Sequence, residues 1–407
     1  MKKRIALFQY EWPLQSYSKD LGEKLAETGH LVDFYCYGVS KLNLVKVYSK
    51  KNLNYNFIDN NNFELETHPN KLINYILKIK NKIKWIKHQK LIKTIPDVSA
   101  DIIDKNALIN SLKKIRQKKY DYLIGIEKQG LIWAGILSEL LKSKLIYYSL
   151  ELYLEDMPSI TEFEKIRPFE IKYHKQADAT IVQDKYRAEK LLHYNHIEST
   201  NLILFPVSIR GEIYMQKSHF FHDKFNIPSS KKIILYFGMM CEDRYYTKIA
   251  EYSHQLAEDF VFVFHGYGNT TYIEQLKKIS NPSKLFFSLD LISEEQIPEI
   301  ISSADIGLSI YRNDFSNDRY TAFSSQKIAL YMKTGVPIIS MKNESYIELM
   351  TNYLCGEMIE TIDNINIAAN KIIDNYNLYR TESFRAYNQY YNFDLNFNQL
   401  INYLNKK

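Results

Sequence analysis

The chain is 45% hydrophobic and 25% charged, a balance typical of globular proteins, and its 407 residues exceed the size at which one core stops growing, so we expect two domains. The net charge is +6, and the three cysteines, Cys36, Cys241 and Cys355, lie far apart, which excludes a zinc spacing and favours reduced thiols over a disulfide framework. No apolar run approaches the ~20 residues of a membrane span, and the N-terminal one is too short for a signal peptide, so we expect a cytoplasmic protein.

A strand–helix–strand pattern opens the chain. Residues 4–9 (RIALFQ) predict a short buried strand, the sequence DLGEKLAETG predicts a helix, and His30–Tyr37 predict a second strand. Leu21 and Leu25 repeat at helical spacing, and Gly29 stands where a helix is expected to stop. This order predicts the start of a parallel α/β sheet.

A basic segment follows an Asn-rich stretch, about residues 45–70, that predicts a loop or insertion. Lys71–Lys93 contains eight lysines and no acidic residue. Its apolar residues recur at helical spacing, in the order Leu72, Ile76, Ile79, Ile83 and Ile86. The pattern predicts an amphipathic helix that binds an anionic membrane surface. The alternative is that the apolar stripe packs on the first domain and the lysines are only solvated. We expect no nucleic acid partner, because no recognised binding module accompanies the basic run.

Strands and helices then alternate to the end of the first half. The predicted strands are Tyr120–Ile126, Leu145–Leu150, Ala179–Gln183 and Leu202–Val207, with a helix at Gly130–Leu141. Pro206 and the polar run that follows it mark a domain boundary. We therefore predict a first domain over residues 1–207 with a basic insertion at about 70–93, a second domain over 208–380, and a helical tail over 381–407.

The second half repeats the alternation. The predicted strands are Lys232–Phe237, Val261–His265, Leu285–Phe287, Ile306–Ile310 and Val336–Ser340, and the predicted helices are Thr247–Ala257, Tyr272–Ile279, Glu294–Ser302 and Ser325–Thr334. Two successive parallel α/β units place a cleft between the carboxyl ends of two sheets, which is where ligands of such folds bind.

Three turns of the second half carry residues suited to an anionic ligand. Gly238 ends the first strand, and Arg244 follows it near a helix start, where free N–H groups and a guanidinium bind phosphate. The next strand ends in HGYG, whose Gly266 and Gly268 permit close backbone approach. A third candidate is the helix start at Ser324, Ser325 and Lys327. The alternatives are ordinary tight turns and serine N-caps.

The order of these motifs resembles a known family. The strand–Gly…Arg step, HGYG, ADIGLSIY and SSQKIALYMKTGVPII are similar to the donor-binding domain of GT-B glycosyltransferases, particularly the large family-four type (glycosyl transferases group 1). GHLV at Gly29–Val32 and ADATIVQDKYRAEKL resemble motifs of that family's first domain. The resemblance implies two Rossmann-like domains that face each other across a cleft, with a C-terminal helix that crosses back to the first domain.

The same resemblance implies roles for individual residues. Arg244 and Lys327 would bind the diphosphate of a nucleotide-sugar donor, the Ser324–Ser325 turn would cradle phosphate oxygens, and backbone near Leu291 and Ile292 would face the base. Two departures stand out: Leu330 replaces the glutamate that usually holds the donor ribose, and Glu11–Tyr17 replace a Gly-Gly loop.

Catalytic groups of the first domain should lie at strand ends that face the cleft. Glu127 and Glu151 each follow a predicted strand, and either could serve as general base or orient the sugar. His265 is an alternative, whereas Glu155 and Asp156 are less favoured. The sequence has no Asp-x-Asp pair placed to hold a metal against a diphosphate, so we predict neither metal nor cofactor, with cationic side chains stabilising the leaving group.

Together with the resemblance, these observations predict a hexosyltransferase that moves a sugar from a nucleotide diphosphate donor onto a saccharide or lipid-linked acceptor. The resemblance implies that the anomeric configuration of the sugar is retained. The enzyme would act at the inner face of the membrane in surface polysaccharide biosynthesis. Two alternatives stay open: a nucleotide-sugar epimerase of the same fold, and a catalytically silent, membrane-attached partner subunit, which Leu330 favours.

Overall fold

The computed structural model describes residues 2–10, 16–38, 51–58, 102–154, 156, 160–242 and 244–406. The predicted basic helix Lys71–Lys93, the Glu11–Gln15 part of the predicted loop Glu11–Tyr17, and Glu155 lie outside the described residues. In the described parts of the chain, no helix has the length and apolar character needed to cross a bilayer.

The first half is a seven-stranded sheet, all of whose pairs are parallel, in the order β3-β2-β1-β4-β5-β6-β7. Its strands are β1 Arg4–Tyr10, β2 Leu31–Tyr37, β3 Leu53–Ile58, β4 Tyr122–Ile126, β5 Lys144–Tyr148, β6 Ala179–Val182 and β7 Asn201–Leu204. Its helices are α1 Ser16–Glu27, α2 Lys105–Ile115, α3 Glu127–Leu141, α4 Ile160–Gln176 and α5 Lys185–Tyr194. The central strands are buried on both faces, because helices cover both sides of a parallel sheet.

The second half is a six-stranded parallel sheet in the order β10-β9-β8-β11-β12-β13. Its strands are β8 Lys232–Phe237, β9 Phe260–His265, β10 Leu285–Ser288, β11 Ile306–Ser309, β12 Ile338–Met341 and β13 Gly356–Ile359. Its helices are α6 Phe220–Phe225, α7 Tyr246–Tyr252, α8 Thr270–Ile279, α9 Ile297–Ser302, α10 Ser316–Arg319, α11 Gln326–Lys333, α12 Glu344–Asn352, α13 Ile365–Asp374 and α14 Tyr376–Ala386. Both sheets reverse strand order at their centre, beside β1 and beside β8, and such switch points open a crevice at the carboxyl ends of the strands.

The C-terminal tail returns to the first half. A π-helical stretch, Tyr387–Tyr391, packs in the core of the second half. The last helix, α15 Phe393–Lys406, then buries Phe397, Leu400 and Leu404 against the core around β1. The predicted fold, two Rossmann-like halves with a helix that crosses back, is confirmed.

The stretch predicted as a loop at 45–70 is corrected over residues 51–58, the part of it that the structure describes. Strand β3, Leu53–Ile58, pairs with β2 at the edge of the first sheet. The sequence does not predict this strand because its Asn residues are typical of loops. An edge strand needs only partial burial, and β3 is apolar mainly at its ends. The predicted helix Thr247–Ala257 is also too long, because α7 ends at Tyr252. The predicted domain limits near 207 and 380 stay predictions; β7 ends at Leu204 and β8 begins at Lys232.

Candidate active site between the sheets

A cavity of about 300 Å³ opens between the carboxyl ends of the two sheets. Both halves contribute to its wall, and the loop after β8 lies opposite the loop after β5. The residues lining it are Leu150, Glu151, Val207, Phe237, Gly238, Arg244, Tyr311, Asn317, Asp318, Thr321, Ser324, Ser325, Gln326 and Lys327. Six predicted site residues are thereby brought to one place: Glu151, Gly238, Arg244, Ser324, Ser325 and Lys327.

The three predicted turns of the second half come together. Gly238 N–H donates to the carbonyl of His265 at 2.9 Å, and a Cβ added to Gly266 would lie 2.0 Å from the Gly238 oxygen. Gly266 has φ +147° and Gly238 has φ +128°, values that side-chain-bearing residues rarely adopt. A Cβ added to Gly238 would lie 3.9 Å from the Cε of Lys327. Glycine is therefore required where the β8 and β9 turns touch, next to the start of α11.

Two cations occupy the second-half wall. Arg244 Nη1 lies 2.9 Å from the Asp318 carboxylate, and the guanidinium lies 4.7 Å from the centre of the Tyr311 ring. The Lys327 ammonium lies 4.4 Å from the centre of the Tyr236 ring and 4.8 Å from that of Tyr311. In the described part of the chain, the Lys327 ammonium contacts these rings and forms no ion pair with a carboxylate.

Burial, and then the nearby positive charge of Arg244, lower the pKa of Lys327 to about 7. Desolvation disfavours the charged form of an amine, and a neighbouring cation does so again. A polyanion in this cavity would supply the countercharge that the lysine lacks.

The opposite wall carries the predicted carboxylates. Glu151 lines the cavity, and its Oε2 accepts a hydrogen bond from Asn317 Nδ2 at 2.9 Å. Glu127 is buried behind it, and its Oε1 accepts from the N–H groups of Leu150 and Glu151 at 2.7 and 2.9 Å. Burial, then the charge of Glu151, raise the pKa of Glu127 to about 8. Glu127 also has φ +62°, an uncommon backbone conformation for a non-glycine residue, at the sharp turn from β4 into α3.

The structure places these two carboxylates differently. Glu151 faces the cavity, whereas Glu127 is not among the described residues that line it and instead binds the backbone that carries Glu151. Asp156, the less favoured candidate, accepts hydrogen bonds from the N–H and hydroxyl of Ser316. Glu151 is therefore the better placed of the predicted catalytic carboxylates.

The remaining predicted residues lie beside the cavity or have partners already. His265 is 1% exposed, its Nδ1 lies 2.8 Å from Ser288 Oγ, and burial lowers its pKa to about 4. Gly268 pairs with Met240 in an isolated bridge, and Leu291 is 96% exposed on the loop after β10, where Ile292 packs against the core. None of these residues, nor Gly266, is among the described residues that line the cavity. His265 thus has the environment of a structural histidine.

The serines of the third turn are also engaged within the protein. Ser324 Oγ donates to the carbonyl of Tyr320, and the Ser325 and Tyr311 hydroxyls lie 2.7 Å apart. The N–H groups of both serines donate to the carbonyl of Thr321. Leu330, where the resemblance leads one to expect a glutamate, is 5% exposed in the apolar core. An acidic ribose contact from that position is excluded.

Asn317 and Asp318 were missed by the sequence analysis. They lie on the short helix α10, which follows β11. Strand β11 borders the switch point of the second sheet, so the polar run after it, YRNDFSNDRY, carried the same positional signal as the three turns that were predicted. Attention to every strand end beside the switch point would have found both residues.

Comparison with known proteins gives the architecture a name. A scan against protein-family models and a search of curated proteins found no match. Solved structures do match. Sucrose-phosphate synthase from Thermosynechococcus elongatus has a TM-score of 0.73 at 14% identity, over 100% of this chain and 99% of that one. Anabaena Alr3699/HepE in complex with UDP has a TM-score of 0.67 at 10% identity, with both chains fully covered. The chain has the GT-B fold.

A third similar structure widens the set of GT-B neighbours. The lipopolysaccharide outer core galactosyltransferase WaaB, in its apo form, has a TM-score of 0.58 at 13% identity, over 98% of this chain and 99% of that one. At such low identity the likeness extends to the GT-B architecture and not to individual residues. The cleft between the GT-B halves is where this chain places its cations and Glu151.

Proposed function

We propose that the chain is a glycosyltransferase that moves a sugar from a nucleotide diphosphate donor to a saccharide or lipid-linked acceptor. One observation carries the proposal: Arg244 and Lys327 lie on one wall of the cleft, and the Glu151 carboxylate lies on the other. A donor bound between them would place its diphosphate against the cations and its sugar towards the carboxylate.

The charges suit the chemistry of this transfer. Negative charge develops on the departing diphosphate as the glycosidic bond to the donor breaks. Preorganised cations in a water-poor site stabilise that charge without reorganisation, which is a large catalytic effect. Glu151 would accept the proton of the acceptor hydroxyl or orient the sugar. Cationic side chains thus take the role that a metal ion has in other transferases, and we expect activity to persist in the presence of a chelator.

Similar proteins support a nucleotide-sugar donor. The HepE structures were solved with UDP, with UDP-glucose, and with UDP and glucose. WaaB is described as a galactosyltransferase of the lipopolysaccharide outer core, which supports a saccharide acceptor and a surface polysaccharide pathway.

The first test is transfer or hydrolysis of a panel of UDP- and GDP-sugars. We expect Arg244→Ala and Lys327→Ala each to lower activity at least tenfold, and Glu151→Gln to lower transfer more than nucleotide affinity. Lys342→Ala is the matched control, since Lys342 pairs with Glu360 away from the cavity. Unchanged activity of both cation variants would contradict the donor site.

Product analysis without acceptor separates transfer from epimerisation, and the anomeric configuration of the product tests retention.

Membrane attachment is a separate part of the proposal. The basic segment Lys71–Lys93 supports it, since each lysine near an anionic surface contributes on the order of 1 kcal/mol. We expect the protein to sediment with anionic liposomes and not with neutral ones, and to be released as salt rises. Replacing four of the eight lysines with glutamine should abolish sedimentation. Equal binding to both kinds of liposome would contradict an electrostatic anchor.

A further inference from the structure

Arg187, on α5 of the first half, is the most connected buried cation described in the molecule. It is 1% exposed. Its Nε donates to Gln183 Oε1, and its Nη2 donates to the Leu150 carbonyl at 2.8 Å and to Asn317 Oδ1 at 2.9 Å. Its Nη1 lies within 3.3 Å of the carbonyls of Asn317 and Tyr320 and 3.2 Å from Ser324 Oγ. All of these acceptors are neutral oxygens.

These acceptors belong to both halves of the protein and border the cleft. Leu150 belongs to the loop that presents Glu151, whereas Asn317 and Ser324 line the second-half wall. One planar guanidinium therefore ties the two walls together at the cavity edge. A lysine could not replace it, because a single ammonium lacks the forked set of five donors.

Asn317 continues the connection to Glu151. Its Oδ1 accepts from Arg187 Nη2 and from the N–H of Leu152 at 2.8 Å. Two donors on the same oxygen fix the orientation of the amide. Its Nδ2 then points at the Glu151 carboxylate, 2.9 Å from Oε2. A chain of hydrogen bonds thus runs from the first half, through the second, and back to the first.

We propose that Arg187 is a positioning residue: it holds Asn317 of the second half so that the Asn317 amide orients the Glu151 carboxylate in the cleft. This inference rests on the proposed function. It assigns to the first half a cation that contacts neither donor nor acceptor and yet controls the rate of transfer.

The test compares Arg187→Gln and Arg187→Lys with Arg210→Gln. Arg210 is a matched control because it is likewise an arginine that connects two parts of the chain. It lies in the linker after β7 and forms ion pairs with Asp20 and Glu27 of α1, and it is not among the described residues that line the cavity. We expect both Arg187 variants to lower kcat at least tenfold while the calorimetric Kd for UDP or GDP changes less than threefold. Arg210→Gln should leave kcat within twofold of the wild-type value.

Two further measurements distinguish positioning from general stability. Asn317→Asp keeps an acceptor for Arg187 but replaces the donor to Glu151 with a carboxylate, so the acid limb of the pH–rate profile should move to higher pH. Asn317→Ala combined with Arg187→Gln should be no slower than the slower single variant, because both act through one chain of contacts. Multiplied losses in the double variant would overturn the proposal.

Hydrogen–deuterium exchange tests the connection without any substrate. Arg187→Gln should speed exchange of residues 150–152 and 316–324 together, and Arg210→Gln should not. Unchanged exchange in both segments would overturn the role of Arg187, whatever the activity. Failure of the unchanged protein to bind any nucleotide or nucleotide sugar would instead contradict the proposed function.

Discussion

At the scale of single residues, the surroundings of Lys327 favour an anionic ligand. Its ammonium faces two tyrosine rings, and Arg244 lies nearby. Arg244 itself is paired with Asp318, so the described contacts leave the charge of Lys327 without a direct counterion. With a pKa lowered to about 7, Lys327 is partly neutral at physiological pH. A bound diphosphate would restore its charge.

Donor affinity should therefore depend on pH in one direction. Above pH 7 the free protein loses the Lys327 proton, whereas the diphosphate complex retains it, so binding takes up a proton and weakens as pH rises. Linkage predicts a loss approaching tenfold per pH unit between pH 7 and the pKa of the complex. Calorimetry with UDP and GDP in buffers of different ionisation enthalpy measures both the affinity and the proton uptake.

Lys327→Arg provides the control for this dependence, because a guanidinium stays protonated over the whole range. We expect its nucleotide affinity to be flat from pH 7 to 9. The same linkage acts on stability: the unfolded chain keeps the lysine proton up to a pKa of about 10.4, so the cost of burying Lys327 is largest below pH 7 and shrinks as pH rises. A steep pH dependence in Lys327→Arg would assign the titration to another group.

At the scale of elements, a turn can require glycine for its backbone conformation, for the space that a Cβ would fill, or for both. Gly266 has a positive φ and no room, since an added Cβ would lie 2.0 Å from the Gly238 oxygen. Gly29, after α1, has φ +93° but open space around it. Gly29→Ala should cost only the backbone strain, about 1 kcal/mol. Gly266→Ala should cost at least twice as much and lower nucleotide affinity tenfold. Urea unfolding and calorimetry measure both effects, and equal losses would refute the packing argument.

The elements also show which features a sequence can reveal. Strands such as β8 and β9 are apolar on both faces, so their residues alone predict them, and the strand-end rule then places Gly238 and Arg244 at one edge. Strand β3 was not predicted because it is an Asn-rich strand at the edge of its sheet. The contacts of Arg187 with Asn317 escaped for a different reason: they join residues 130 positions apart across two halves, and no local pattern encodes such packing.

At the scale of the whole molecule, the C-terminal tail packs into the cores of both halves, so we expect them to unfold together. Tyr387 and Tyr391 pack in the second core, and Phe397 and Leu400 of α15 pack in the first. Phe397→Ala should therefore destabilise the protein by about 3–5 kcal/mol, the cost of a large cavity in a packed core. Because one continuous tail packs in both cores, we expect Phe397→Ala to lower the unfolding midpoint of the entire chain.

Leu395→Ala is the matched control on the same helix, since Leu395 is 44% exposed, and it should change stability by no more than about 0.5 kcal/mol. Denaturant unfolding followed by far-UV circular dichroism, together with nucleotide binding at each denaturant concentration, measures the two effects. If the tail couples the halves, Phe397→Ala loses nucleotide binding, which we propose for the second half, at the same lowered midpoint as it loses helicity. Retention of nucleotide binding after the first half has unfolded would mean that α15 only covers the first sheet and does not stabilise the proposed donor site.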